Sequence, residues 1–180
     1  MIEGRLSRRY TRAIFQLARE TGAEEVIGRE LEQFFSIYRG SDLEKVLINP
    51  AFAAGTRKEI LTRVIQSQQL SPLTLKFLSL LLERDRLMEL AGIVSCYRRL
   101  LNEAKGRVEA RVVSSGRLEA PVVEQLRERL RGLAGKDVLL QQETDPSLLG
   151  GLLVELEGKV YDGSIRSQLE KMKQRIARGQ

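Results

Sequence analysis

Asp145-Pro146-Ser147-Leu148-Leu149-Gly150-Gly151, then Leu152-Leu153-Val154-Glu155-Leu156, then Glu157-Gly158-Lys159-Val160-Tyr161-Asp162-Gly163-Ser164-Ile165, is the stretch whose reading decides the fold. Pro146 fixes its own φ and pushes Asp145 out of the helical region, so the stretch opens on a turn. Gly150-Gly151 admits a backbone that side chains would forbid. Residues 152–156 are apolar and partly branched, which suits a short strand. Glu157-Gly158 reads as a tight turn into a second strand, giving a hairpin. Asp162-Gly163-Ser164 stops that strand and offers oxygens to cap a helix. That last helix carries Ile165, Leu169, Met172 and Ile176 at spacings of four, three and four, beside Lys171, Lys173, Arg175 and Arg178.

Upstream of this stretch the period is mixed. Arg107–Val113 alternates in part and predicts a strand, Ser114-Ser115-Gly116 a turn, and Pro121 the start of a helix running to about Leu133. Gly132 and Gly135 bracket the end of that helix, and Lys136–Gln141 predicts another strand. Before Gly106 the pattern is helical throughout. Leu6, Tyr10, Ala13-Ile14 and Leu17-Ala18 recur on one face of a first helix, with Arg5, Arg8, Arg9, Arg12 and Arg19 elsewhere on it. A second helix over 23–38 turns Val26-Ile27, Leu31, Phe34-Phe35 and Tyr38 inward. Thr21 with Glu24, Ser41 with Glu44 and Thr56 with Glu59 have the spacing of capping boxes. Ser71-Pro72 opens a fifth helix bearing Leu75, Phe77-Leu78 and Leu81-Leu82, and Arg86 a long sixth. The expected architecture is α+β, with a six-helix bundle over 1–105 and a small α/β domain over 106–180.

The ordered set Asp145-Pro146, Leu148-Leu149-Gly150-Gly151 and Asp162-Gly163-Ser164-Ile165 resembles the C-terminal signature of the ATP synthase delta subunit family, whose mitochondrial member is the oligomycin-sensitivity-conferring protein. Arg9-Tyr10-Thr11-Arg12-Ala13-Ile14-Phe15-Gln16-Leu17-Ala18 is similar to the first helix of that family. Asn49-Pro50 with Arg57-Lys58 matches its proline followed by a lysine-bearing helix. Lys76-Phe77-Leu78-Ser79-Leu80-Leu81 followed by Arg86-Leu87 matches its fifth-helix stretch. The resemblance spans nearly the whole chain. It departs at Ser115, where alanine is usual, at Glu155, where arginine is common, and at Glu157-Gly158, where Gly-Asp is common.

The resemblance implies a non-catalytic connector in a proton-translocating rotary ATP synthase, linking the alpha3beta3 head to b-type peripheral stalk subunits. It implies that the N-terminal helix of an alpha subunit lies in a groove between the first and fifth helices, at Tyr10, Ala13, Ile14, Leu17, Phe77, Leu78 and Leu81. Those seven residues read equally as bundle core. It assigns the C-terminal domain to the stalk, with Ile165, Leu169, Met172 and Ile176 either packed on the strands or presented to a stalk helix. One copy per complex, at the cytoplasmic face of a bacterial plasma membrane, follows from the same resemblance.

Composition bounds the alternatives. The 180 residues carry 42% apolar and 30% charged side chains, as a globular chain does. No apolar run approaches the roughly 18 residues of a membrane span, and the N-terminus has no signal-peptide core. Net charge is +6 with 30 basic and 24 acidic residues, spread over both halves. A basic helical nucleic-acid-binding adaptor is the competing reading, supported by a pI near 9.7 and opposed by dispersed charge and only 5% aromatics. There is no histidine, and the single cysteine, Cys96, has no base beside it and reads as a buried thiol. Phosphate loops and zinc spacings are missing. Neither a catalytic residue nor a cofactor nor a metal is expected.

Overall fold

The computed structural model describes residues 4–177, with the side chains of Lys171 and of residues 175–177 outside the description. Contacts divide the chain into two compact units, Met1–Leu101 and Asn102–Gln180.

The first unit is helical: α1 (Arg5–Glu20), α2 (Glu24–Tyr38), α3 (Asp42–Ile48), α4 (Ala54–Ser67), α5 (Pro72–Glu83) and α6 (Leu90–Ala104), the last preceded by a 3-10 turn at Leu87–Glu89. Three-four spacing collects Ile14 and Ala18 of α1, Ile27, Leu31 and Phe34 of α2, Leu61 and Ile65 of α4, Leu78 and Leu81 of α5, and Ile93 and Tyr97 of α6 into one core. Each fully buried Leu or Ile contributes about 1.5–3 kcal/mol of transfer free energy, so the amphipathic pattern rather than helix propensity holds the bundle. Cys96 is buried.

Three local expectations change. Thr21 does not cap α2; its hydroxyl donates back to the carbonyls of Leu17 and Ala18 and closes α1, while Ala23 stands at the N-cap of α2. Thr56 lies inside α4, which starts at Ala54. At α3 the predicted box does not form: the Glu44 carboxylate accepts from the Gly40 amide at 2.7 Å, one residue before the N-cap, and the Ser41 hydroxyl donates to Tyr38 O. Threonine and serine can satisfy the preceding helix end as readily as the following start, and here tertiary packing chooses. Ser71 does cap α5, its hydroxyl accepting from the Thr74 amide at 3.4 Å with Pro72 in the first turn.

The second unit is a four-stranded sheet in the order β2-β1-β3-β4: β1 (Arg107–Ser114), β2 (Asp137–Thr144), β3 (Leu152–Leu156) and β4 (Lys159–Asp162). β1 and β2 run parallel, joined through α7 (Ala120–Ala134), and β3 pairs antiparallel with both β1 and β4. Period-two alternation puts Ala110, Val112, Val138, Val154 and Leu156 on one face, where Leu126, Leu130 and Ala134 of α7 cover them. Gly132 falls inside α7 rather than at its end, and Gly135 supplies the cap.

The opening stretch forms as its period changes predict. At Gly151, with φ +84°, a Cβ would lie 2.4 Å from the Gly163 carbonyl oxygen, so only glycine fits this crossing. There the Gly163 amide donates to Leu152 O at 2.9 Å and the Ile165 amide to Gly150 O at 3.0 Å, tying the start of β3 to the start of α8 (Ile165–Ala177). The Glu157-Gly158 turn has positive φ at both residues, +50° and +78°, as a tight hairpin requires. Asp162 accepts from the Ser164 amide and the Ser167 hydroxyl, and Ser164 Oγ accepts from the Ser167 amide, which completes the cap.

Candidate partner-binding surfaces

Two surfaces stand out, one on each unit. On the helical unit, the C-terminal end of α1, the start of α2 and the first turn of α5 enclose a groove of about 420 Å³. Its lining is mainly apolar: Leu17, Ala23, Val26, Ile27, Pro72 and Leu73, with Glu20 and Lys76 among the polar members. Leu17 is 48% and Val26 41% exposed, although both continue apolar helical patterns. Leu80, one helical turn beyond Lys76 on α5, is 41% exposed, and Ala13, one turn before Leu17 on α1, also faces solvent.

Glu30 of α2 holds the α5 side of the groove. Its carboxylate accepts from the Ser71 amide at 2.9 Å, from the Ser71 hydroxyl at 2.6 Å and from the hydroxyl of fully buried Thr74. An acceptor at a helix N-terminus is favoured by the orphan amides and the dipole there. The clamp therefore ties Ser71, Pro72 and Leu73 to the helix that carries Val26 and Ile27.

The predicted groove residues divide. Ile14, Phe77, Leu78 and Leu81 are interior, at 1%, 6%, 0% and 0% exposure. Tyr10 is half-buried beneath the Arg9 guanidinium, 5.5 Å from the ring centroid. Ala13 and Leu17 are open to solvent. Val26, Pro72, Leu73 and Lys76 were not singled out by sequence as surface residues. Val26 belongs to the face expected to point inward, and periodicity places such a flank residue only to within one helical position. Arg57 and Lys58 have structural partners: Arg57 donates to Leu47 O at 3.2 Å and pairs with Asp85 at 3.1 Å, and Lys58 pairs with Glu83 at 2.8 Å. The ammonium of Lys58 holds the Glu83 carboxyl below its usual range.

On the second unit, α8 presents Ile165, Leu169 and Met172 to solvent, 44%, 54% and 60% exposed, so these three are not packed onto the strands. The backbone of Ile176 continues α8, but its side chain lies outside the described residues. Val160 at 59% exposure is on the edge strand β4 of the same unit. The sheet face away from α7 is charged. Arg111 pairs with Glu143 at 2.5 Å, and its register partner on β3 is Glu155. Hydrogen bonding to Glu143 leads, with the charge of Glu155 a lesser contribution, in raising the Arg111 pKa and keeping the guanidinium charged. Glu155, the departure from the usual arginine, thus stands opposite an arginine, which makes the exchange electrostatically coherent. Glu157, the other departure, pairs with Lys136 at 2.7 Å.

Among the described residues no group of three or more His, Cys, Asp or Glu side chains is arranged to hold a metal, and no helix is long and apolar enough to cross a membrane.

The family model for the ATP synthase delta (OSCP) subunit matches residues 6–176, almost the full length described above. The chain belongs to that family. ATP synthase subunit delta of Solidesulfovibrio magneticus is 38% identical over 178 residues, covering 97% of each chain. ATP synthase subunit delta of Anaeromyxobacter dehalogenans is 37% identical over 177 residues, covering 98% of this chain and 99% of that protein. A chain in the cryo-EM structure of the Toxoplasma gondii mitochondrial ATP synthase hexamer shares the fold, with a TM-score of 0.74 at 20% identity over 97% of this chain and 98% of that one. Family membership displaces the nucleic-acid adaptor reading.

Proposed function

We propose that this chain is a non-catalytic stator connector of a proton-translocating rotary ATP synthase, present in one copy and joining the alpha3beta3 head to b-type peripheral stalk subunits. The observation that carries the reading is the pair of exposed apolar surfaces, one on each unit, in a member of this family. A connector that resists torque needs two separate grips, and broad burial of a helix in a groove is a suitable mode for each.

The groove beside Leu17, Val26 and Leu73 takes the N-terminal helix of an alpha subunit. Ala13 and Leu17 touch the incoming helix, while Ile14, Phe77, Leu78 and Leu81 support the walls from beneath. The α8 seam of Ile165, Leu169 and Met172, continued through Ile176, takes a stalk helix. Association with the membrane is indirect, through the complex, at the cytoplasmic face of a bacterial plasma membrane. The reading calls on no catalytic residue, cofactor or metal of this chain.

The test uses the full chain and a peptide from the alpha-subunit N-terminus. Ala13→Asp or Leu17→Asp abolishes capture while circular dichroism shows an intact bundle, because a charge in the groove loses its hydration when the helix docks. Normal binding by both folded variants would place the contact elsewhere.

A further inference from the structure

We infer that the outer edge of β2 takes an extended segment of a partner chain as an added strand, and that this segment continues from the stalk helix held at α8. The continuation rests on the α8 reading above; the added strand does not.

β2 is a terminal strand of the sheet, paired with β1 on one side. The Asp137 amide donates to Gly106 O at 3.1 Å and the Asp145 amide to Ser114 O at 2.8 Å, which fixes the phase of the ladder at both ends. In a parallel ladder every second residue turns both main-chain groups to the same neighbour. Asp137, Leu139, Gln141 and Glu143 therefore bond to β1, and Val138, Leu140, Gln142 and Thr144 point their N–H and C=O groups outward. Among the described residues no strand lies on that side. The outward groups repeat about every 6.6 Å along an eight-residue strand. Folded proteins usually guard such an edge with a bulge, a proline, a lysine or a short strand. The other edge strand, β4, is four residues long and carries Lys159. β2 has neither proline nor lysine, and its one-to-one register with β1 leaves no bulge. Its two acids are already held by arginines, Asp137 by Arg131 at 3.0 Å and Glu143 by Arg111 at 2.5 Å.

A row of alternating donors and acceptors at this repeat is matched by an extended polypeptide. A phosphate-bearing ligand offers acceptors without the matching donors. A second copy fits poorly. In antiparallel pairing through the outward groups, the longest registers set Asp137 against Glu143, or against Asp145 just past the strand, and like charges directly opposite are destabilising. Leu139, 37% exposed beside the edge, gives an apolar side chain of an incoming segment a cross-strand neighbour. The path from α8 is short. Register sets Thr144, Ser114 and Leu152 in one row across the sheet, so Thr144 stands about 10 Å from Leu152. Leu152 O accepts from the Gly163 amide at 2.9 Å, and α8 begins at Ile165. A chain leaving the Ile165 end of the seam reaches the Thr144 end of β2 within a few extended residues.

The experiment mixes the full chain with b-type stalk subunits and follows amide exchange by NMR. In the free chain the outward amides of Val138, Leu140, Gln142 and Thr144 should exchange faster than those of Leu139, Gln141 and Glu143. In the complex the outward set should slow by about tenfold or more. Gln142→Pro removes a donor that β1 does not use, which an edge strand tolerates. It should weaken stalk capture about tenfold, while Gln142→Ala, which keeps the amide, stays near wild type. Leu169→Asp tests the α8 reading separately. If it abolishes capture, yet the outward amides of wild type stay fast in the complex, α8 stands and the added strand falls. A folded Gln142→Pro chain that binds as wild type has the same meaning. If Leu169→Asp binds normally and the outward amides still slow, the added strand stands and its continuation from α8 falls. Concentration-dependent slowing in the free chain would assign the edge to a second copy and overturn the inference.

Discussion

Two buried tyrosines of the helical unit show how environment sets the worth of a hydroxyl. Tyr97 is 1% exposed and its hydroxyl donates to Glu24 O at 3.0 Å, whereas the hydroxyl of Tyr38, 2% exposed, has no hydrogen-bond partner among the described residues. Tyr97→Phe should therefore cost about 1 kcal/mol, and Tyr38→Phe should be neutral or slightly stabilising, as read from urea midpoints. Burial first, and then the nearby Glu44 carboxylate, push the Tyr38 hydroxyl from 10.0 up to about 12. The folded state thus holds this proton more tightly than the unfolded chain. The matching stability, about 2–3 kcal/mol by linkage, is present below pH 10 and is lost as pH rises through about 12. Tyr38→Phe should flatten that part of the alkaline melting profile; an unchanged profile would assign it to other groups. Gly151 is a second residue-scale case. Gly151→Ala places a methyl against the Gly163 carbonyl at positive φ, and should cost more than about 2 kcal/mol. Faster amide exchange at Gly163 and Ile165 is the expected signature.

At the scale of elements, helix ends carry the clearest consequences. Glu30→Ala would strip three hydrogen bonds from the first turn of α5 and leave the buried Thr74 hydroxyl without its acceptor. A loss of about 1–3 kcal/mol is expected, together with weaker capture of the alpha-subunit peptide because a groove wall is released. A variant as stable as wild type with normal capture would remove the clamp from the account. In α7, Gly132 sits within the helix with open space where a Cβ would go. Gly132→Ala should stabilise by about 0.5–1 kcal/mol, since it removes backbone entropy from the unfolded chain without a clash. The capping signals show the limit of reading elements one at a time. Ser71-Pro72 and Asp162-Gly163-Ser164 cap the helices that follow them, but Thr21 closes the helix before it, because a hydroxyl near two helix ends serves whichever the packing brings within reach.

For the whole molecule, the two compact units suggest that the parts can be separated. A fragment of residues 1–105 should melt as a cooperative helical unit, since its core is drawn from α1 to α6 alone. A fragment that is unfolded by circular dichroism would show that the sheet unit supplies part of that core. Deleting residues 165–180 should free the stalk subunits while the remainder still binds the catalytic head, because the exposed Ile165, Leu169 and Met172 go with it. Stalk binding that survives the deletion at moderate salt, where loose charge attraction is screened, would move that contact to another surface.

Much of this architecture was legible in one sequence because its causes are local. Three-four spacing of apolar residues made six helices, and the glycine and proline punctuation from Asp145 to Ile165 made the hairpin and the helix after it. The order of residues also sufficed for the family, since the motif set spans the chain. Local pattern cannot say which side of an apolar stripe meets a neighbour. Val26 and Leu17 continue their stripes yet are exposed, while Phe77 and Leu78 are interior, because burial depends on which helices pack alongside. The same holds for α8, where Ile165, Leu169 and Met172 have the spacing of a packed helix but are exposed. The strand order, with β1 between β2 and β3, was likewise decided by tertiary pairing, since hydrogen bonds between strands distant in sequence leave no periodic trace along the chain.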